Sequence, residues 1–133
     1  MTYVLDTDTC IWLLRERPSV LARVQRALPG EIAIAVMTEA ELRYGAIKSG
    51  RSADNLTRLE DLLATPFASL PFDRDAARHH AEIRYALRAR PIGDRDLVIA
   101  SVARAHRATL VTGNGREFGR VPGLEIEDWS GRP

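Results

Sequence analysis

The sequence predicts an α/β domain of three layers, with helices covering both faces of a mostly parallel sheet. Short apolar or β-branched runs alternate with helix-length amphipathic stretches along the whole chain. The run EIAIAVM, from Glu31 to Met37, is apolar at almost every position after the first, as in a strand covered on both faces. Nothing reads as a hairpin, so strands must be joined by crossovers. A length of 133 residues with 45% apolar content suits one compact unit, giving a single domain over 1–133.

Element by element, Thr2 to Leu5 forms a first strand that stops abruptly at Asp6. Asp8 or Thr9 can cap a helix carrying Ile11, Trp12 and Leu14. Pro18 starts a second helix with Val20, Leu21, Val24 and Leu28 on one stripe, and Pro29-Gly30 ends it. After the strand Glu31–Met37, Thr38 caps a helix to about Lys48, with Leu42 and Ala46 four residues apart. Ser49-Gly50 closes it, a further helix runs to Ala64 with Leu56, Leu59, Leu62 and Leu63, and Pro66 breaks the pattern. A brief strand, Ser69 to Phe72, leads to Asp73, which caps a helix holding Ala77, Ala81, Ile83 and Leu87. Pro91-Ile92-Gly93 turns into a helix that begins near Asp94 and contains LVIASVARA. Thr109 to Thr112 is a short strand, Asn114 to Phe118 a short helix and Leu124 to Glu127 a last strand. Strand order is not readable from this pattern.

Composition excludes several classes. Cys10 is the only cysteine, which removes an intrachain disulfide framework and any multi-cysteine zinc site, and with the nearest His far down the chain it reads as a buried small hydrophobe rather than a nucleophile. No stretch approaches the roughly 18 apolar residues of a membrane span and no leader-like segment opens the chain, so a cytoplasmic protein is expected. The 19 basic and 18 acidic residues nearly cancel, but seven Arg against three acids lie between Arg78 and Arg107, which suits either an RNA-facing surface or a solvated helix face. His79 and His80 are adjacent, unlike a metal pair four apart on one helical face. GNG at Gly113–Gly115 lacks the Lys of a phosphate loop, and Ser101 lies within an apolar helix, where bonding back to its own helix is the simpler role.

The acids carry the functional signal. Open parallel sheets place their functional residues at the carboxyl ends of strands and in the helix starts that follow. Asp6 ends the first strand, Glu41 lies in the first turn after the second, Asp96 opens a later helix, and Asn114 with Glu117 follows the fourth strand. Carboxylates converging in one pocket repel one another unless a cation sits between them, and an oxygen-only set without His or Cys suits Mg²⁺. Such an ion points to phosphodiester hydrolysis by activated water. Each acid also has a structural explanation. Thr38-Glu39-Ala40-Glu41 and Asn114-Gly-Arg-Glu117 are capping-box patterns, Asp94 and Asp96 suit a helix N-terminus, and Asp6 could be a turn residue. Only their combination on separate strand-to-helix transitions favours an active site.

Three blocks, VLDTDTCIWLL, TEAELRYGAIKSG and PIGDRDLVIASVARAHRATLVTGNGREFGRVPGLEIEDW, in this order and spanning nearly the whole chain, resemble the PIN-domain ribonucleases, specifically the VapC-type toxins of toxin–antitoxin pairs. The resemblance implies a metal-dependent endoribonuclease in which Asp6, Glu41 and Asp96 hold Mg²⁺, with Mn²⁺ as a substitute, and Glu117 supplies the fourth acid because Asn114 replaces the alternative one. Thr112 resembles the family's supporting Thr, and Asp8 stands where the family usually has Asn, adding charge beside Asp6 or serving as a cap. Implied partners are an RNA substrate, a VapB-type antitoxin that blocks the pocket, and a second copy in a homodimer. Trp12, Leu13 and the Tyr44 region are candidate antitoxin anchors, with core packing the alternative and the simpler role for Trp12. A nuclease of general RNA or structure-specific DNA processing, or a binding module whose acids only cap helices, are the alternatives.

Overall fold

The computed structural model describes residues 1–28, 30–65 and 67–132, so the expected breaks at Pro29 and Pro66 lie outside the described residues. Along the chain run β1 (Tyr3–Leu5), α1 (Thr7–Leu14), α2 (Pro18–Arg26), β2 (Ile32–Ala35), α3 (Val36–Lys48), α4 (Ser52–Leu63), β3 (Ala68–Leu70), α5 (Arg74–Ala86), α6 (Asp94–Ala105), β4 (Thr109–Val111), α7 (Gly115–Phe118) and β5 (Glu125–Glu127). The five strands form one sheet in the order β3-β2-β1-β4-β5, parallel at every pairing.

The period of two along each strand divides the core into two layers. Val4, Ala33, Ala35 and Leu110 face a cluster with Ile83, Leu97, Ile99, Val102 and Phe118 from α5, α6 and α7. Their neighbours Leu5, Ile32, Ile34 and Val111 face Cys10, Leu13, Val20, Leu42 and Leu59 from α1 to α4. The expected three-layer α/β arrangement therefore holds. From β1 the chain steps outward to β2 and β3, then returns across the sheet to β4 and β5. Right-handed crossovers in opposite directions place the two helix sets on opposite faces and make β1/β4 the point where strand order reverses.

Several boundaries differ from expectation. β2 ends at Ala35, and α3 begins at Val36 rather than being capped at Thr38. Met37 packs against the core as α3 leaves the sheet while Val36 is exposed, so the strand-like run spans two elements. Thr38 lies inside α3, fully buried, and among the described residues its hydroxyl has no hydrogen-bond partner. The cap of α1 is Asp6, not Asp8 or Thr9. α6 has Gly93 at its N-cap and Asp94 as its first residue. α2 stops at Arg26, which leaves Leu28 69% exposed rather than on the buried stripe. β3 lies at Ala68–Leu70, leaving Phe72 exposed beyond it with its ring edge-on to His80. In α5 the buried residues are Ala76 and Ile83, not Ala77 and Ala81, because the inward stripe starts one residue earlier. Asp73 does cap this helix, accepting from the Ala76 amide at 2.9 Å.

Candidate active site

The reversal of strand order leaves a crevice beyond the ends of β1 and β4, and Asp6 occupies it. Its amide donates to the Val111 carbonyl at 3.0 Å, which continues the sheet one residue past β1. Its carboxylate accepts from the Thr9 amide at 2.9 Å and so caps α1. The Thr9 hydroxyl donates to the Val111 carbonyl at 3.1 Å, tying α1 to β4. Asp6 is thus held on both sides and is only 5% exposed. Burial raises its pKa, an effect opposed by contacts with the Thr112 hydroxyl and with the amide and hydroxyl of Thr9.

Around it opens a cavity of about 120 Å³ lined by Asp6, Thr7, Asp8, Glu41, Asp96, Asn114 and Phe118. Larger depressions lie elsewhere, about 300 Å³ beside α1, α3 and α4 and about 340 Å³ between α5 and α6. The smallest concentrates the charge. Because α3 starts early, Glu41 is its sixth residue and too far along for a capping box, so its side chain reaches the cavity instead. One Glu41 oxygen accepts from the Thr7 hydroxyl at 2.6 Å, while the other lies 3.4 Å from Nε of Arg95. Asp96 enters from the first turn of α6, where the helix N-terminus favours a negative charge. Its pKa is nevertheless raised, by burial first and then by the charges of Glu41, Asp6, Asp8 and Glu117.

Thr112 closes β4 from a buried position and accepts from the Asn114 amide at 2.9 Å, setting the loop that brings Asn114 to the cavity. Asn114 makes no side-chain cap on α7, so the second capping box does not form either. Glu117 does not line the cavity. Its carboxylate pairs with Arg120 at 2.9 Å, although its charge still reaches Asp96. Of the residues expected to converge, Asp6, Asp8, Glu41, Asp96 and Asn114 share the cavity, Thr112 supports it and Glu117 stands outside.

Thr7 and Arg95 touch the site without having been singled out by sequence. Thr7 follows Asp6 directly, but no spacing rule links it to Glu41, 34 positions away. The other weighed residues have structural roles. Cys10 is buried, which pushes its thiol pKa far up, with the charge of Asp6 adding to the effect. The Ser101 hydroxyl donates to the Leu97 carbonyl at 2.6 Å, and His79 accepts from Arg104 at 2.8 Å. Leu13 is buried, and Trp12 lies in contact with the guanidinium groups of Arg17 and Arg132.

Residues 3–124 match the PIN domain family. The chain is 37% identical over 132 residues to the tRNA(fMet)-specific endonuclease VapC of Shigella flexneri, covering 98% of this chain and 99% of that protein. It is 35% identical over 133 residues to ribonuclease VapC2 of Rickettsia felis, covering 97% and 98%. Among solved structures, VapBC2 of Rickettsia felis bound to a promoter DNA fragment aligns with a TM-score of 0.90 at 34% identity, over 97% of this chain and 99% of that chain. VapBC-1 from nontypeable Haemophilus influenzae aligns with a TM-score of 0.87 at 32% identity, over 98% and 99%. The chain belongs to the PIN-domain family and, within it, to the VapC ribonucleases of toxin–antitoxin pairs.

Proposed function

We propose that this ribonuclease cleaves RNA phosphodiester bonds at the cavity between β1 and β4, with Asp6, Glu41 and Asp96 holding a divalent cation. One observation carries the reading. Three carboxylates, from the N-cap of α1, the second turn of α3 and the first turn of α6, the last of which follows α5 rather than a strand, meet in one small cavity, although burial and then their mutual charge raise the pKa of Asp96. A fold has no structural need for that repulsion.

The donor chemistry fits Mg²⁺ or Mn²⁺, since every polar side chain on the cavity wall offers oxygen apart from the amide nitrogen of Asn114. Among the described residues no three Asp, Glu, His or Cys side chains stand close enough to enclose an ion together. Mg²⁺ does not require that, because it commonly keeps several waters and takes only one or two carboxylates directly. When bound, such an ion supplies Lewis acidity toward water and toward the phosphoryl oxygens. The chain supplies position. Asp6 is fixed by its cap bond, Glu41 is aimed by Thr7, and Asp96 is carried on the rigid start of α6. Asn114, set by Thr112, is placed to orient a water or a phosphate oxygen, and Asp8 adds charge at the exposed edge. Glu117 acts from outside, through its charge on Asp96.

The toxin role and its control follow from kinship. Relatives solved as VapBC complexes support neutralisation by a VapB-type antitoxin, and those named tRNA(fMet)-specific make initiator tRNA the first RNA to assay. A homodimer through helix faces belongs to the same reading, and the exposed Tyr44 and Ile47 on α3 are available for such contacts. No helix among the described residues is long and apolar enough to cross a membrane. The test is Asp96→Asn, which keeps the side chain's size and removes its charge. It should lower RNA cleavage by at least about a hundredfold, equivalent to roughly 2.7 kcal/mol in the barrier, with an unchanged circular dichroism spectrum. Cleavage within about twofold of wild type, the same 1.36 kcal/mol-per-decade scale, would make Asp96 a helix-start charge and nothing more.

A further inference from the structure

The cavity presents a difficulty that its carboxylates cannot resolve. Asp6, Asp8, Glu41 and Asp96 all line it, so a divalent ion leaves the rim formally negative just where a phosphodiester must approach. A local cation is needed. Among the described residues, Arg95 is the one cation in an ion pair with a carboxylate lining the cavity, with Nε 3.4 Å from Oε2 of Glu41. Arg120 is tied to Glu117 and the Arg90 carbonyl, and Arg132 to the Gly113 carbonyl, while Arg15 lines the adjoining depression rather than this cavity.

Arg95 is held loosely. Its side chain is 69% exposed, and 3.4 Å is long for a charge-assisted bond, whereas the opposite oxygen of Glu41 is held by Thr7 at 2.6 Å. An exposed ion pair of this kind shifts an equilibrium by about fivefold at most. Its backbone lies in the first turn of α6, immediately before Asp96. The planar fork of Arg, with its five donors, matches a phosphate better than a single carboxylate oxygen at 3.4 Å.

We propose that Arg95 is the phosphate-binding residue of this ribonuclease and that Glu41 holds it in reserve until a cation takes over that carboxylate. The inference rests on the assignment of Glu41 to the metal centre. In the metal-free protein Arg95 neutralises Glu41. With the carboxylate engaged by the ion, the guanidinium turns outward and meets the RNA backbone at the cavity mouth. Metal binding and RNA binding are thereby coupled through one side chain.

The experiment compares wild type, Arg95→Gln and Arg95→Lys. Mn²⁺ binding without RNA is followed by calorimetry, and RNA cleavage at saturating Mn²⁺ is followed across a salt series. Arg95→Gln removes the cation that competes for Glu41, so Mn²⁺ should bind about two- to fivefold more tightly. The same variant should raise KM for RNA by about tenfold or more with kcat within about twofold, and flatten the slope of log(1/KM) against log salt by about 0.7 to 1. Arg95→Lys should keep the salt slope and recover only part of KM, because it keeps the charge without the fork. Unchanged KM and salt slope in Arg95→Gln would overturn the proposal, and so would weaker Mn²⁺ binding, which would make Arg95 a support for Glu41. Glu41→Gln separates the two levels: if it leaves Mn²⁺ affinity unchanged, the metal assignment fails and this inference falls with it.

Discussion

Asp6 shows how much one residue can carry. It follows a strand, caps a helix where a turn residue was expected, and faces the cavity at once, so a structural role and the proposed metal-binding role sit on one side chain. Glu41 is the opposite case. Its capping box is absent, and the side chain is free for the site because α3 starts before Thr38. The raised pKa of Asp96 has a consequence with a definite sign. A carboxyl whose folded value lies above its unfolded value contributes stability that is present below about pH 3.8, the ordinary Asp value, and is lost as pH rises through the folded value. Ionised Asp96 therefore weakens the metal-free fold at neutral pH. Asp96→Asn should have a higher thermal midpoint than wild type at pH 7 in chelator, with the difference vanishing below about pH 3.8. Mg²⁺ should raise the wild-type midpoint and leave the variant nearly unmoved. A lower midpoint for Asp96→Asn at pH 7 would contradict this electrostatic account.

At the scale of elements, the order of strands and helices was legible because periodicity reports burial, and burial depends on residues close in sequence. Boundaries were not. Val36 and Met37 continue an apolar run that suits a strand, yet they enter α3 because the sheet ends where β1 and β3 end beside it, and tertiary packing overrides the preference of β-branched residues. Thr38 tests this boundary. If it capped the helix, Thr38→Val would cost about 1 kcal/mol. Because its hydroxyl is buried within α3 with no partner among the described residues, the same change should be neutral or stabilise by about 1 kcal/mol in denaturant unfolding. On the opposite side of the sheet, Ile99 is fully buried between α6 and the strands, and Ile99→Ala should cost roughly 2–5 kcal/mol. A loss below about 1 kcal/mol would mean that the layer repacks freely around the deletion.

At the scale of the whole molecule, the strand order could not be read from the sequence, because it depends on contacts between distant stretches. The order β3-β2-β1-β4-β5 supplies the missing step: it puts the ends of β1 and β4 side by side and turns acids separated by up to 90 positions into one wall. That geometry also ranks the acids. Asp6, Glu41 and Asp96 line the cavity, while Glu117 pairs with Arg120 beside it. Calorimetric titration of Mn²⁺ into wild type, Asp6→Asn, Glu41→Gln, Asp96→Asn and Glu117→Gln, each checked for folding, tests the central claim most directly. The first three substitutions should each weaken binding by about tenfold or more, at 1.4 kcal/mol per decade, with Glu117→Gln having a smaller effect. Equal affinity in all five proteins would show that the acids meet at this cavity without holding an ion.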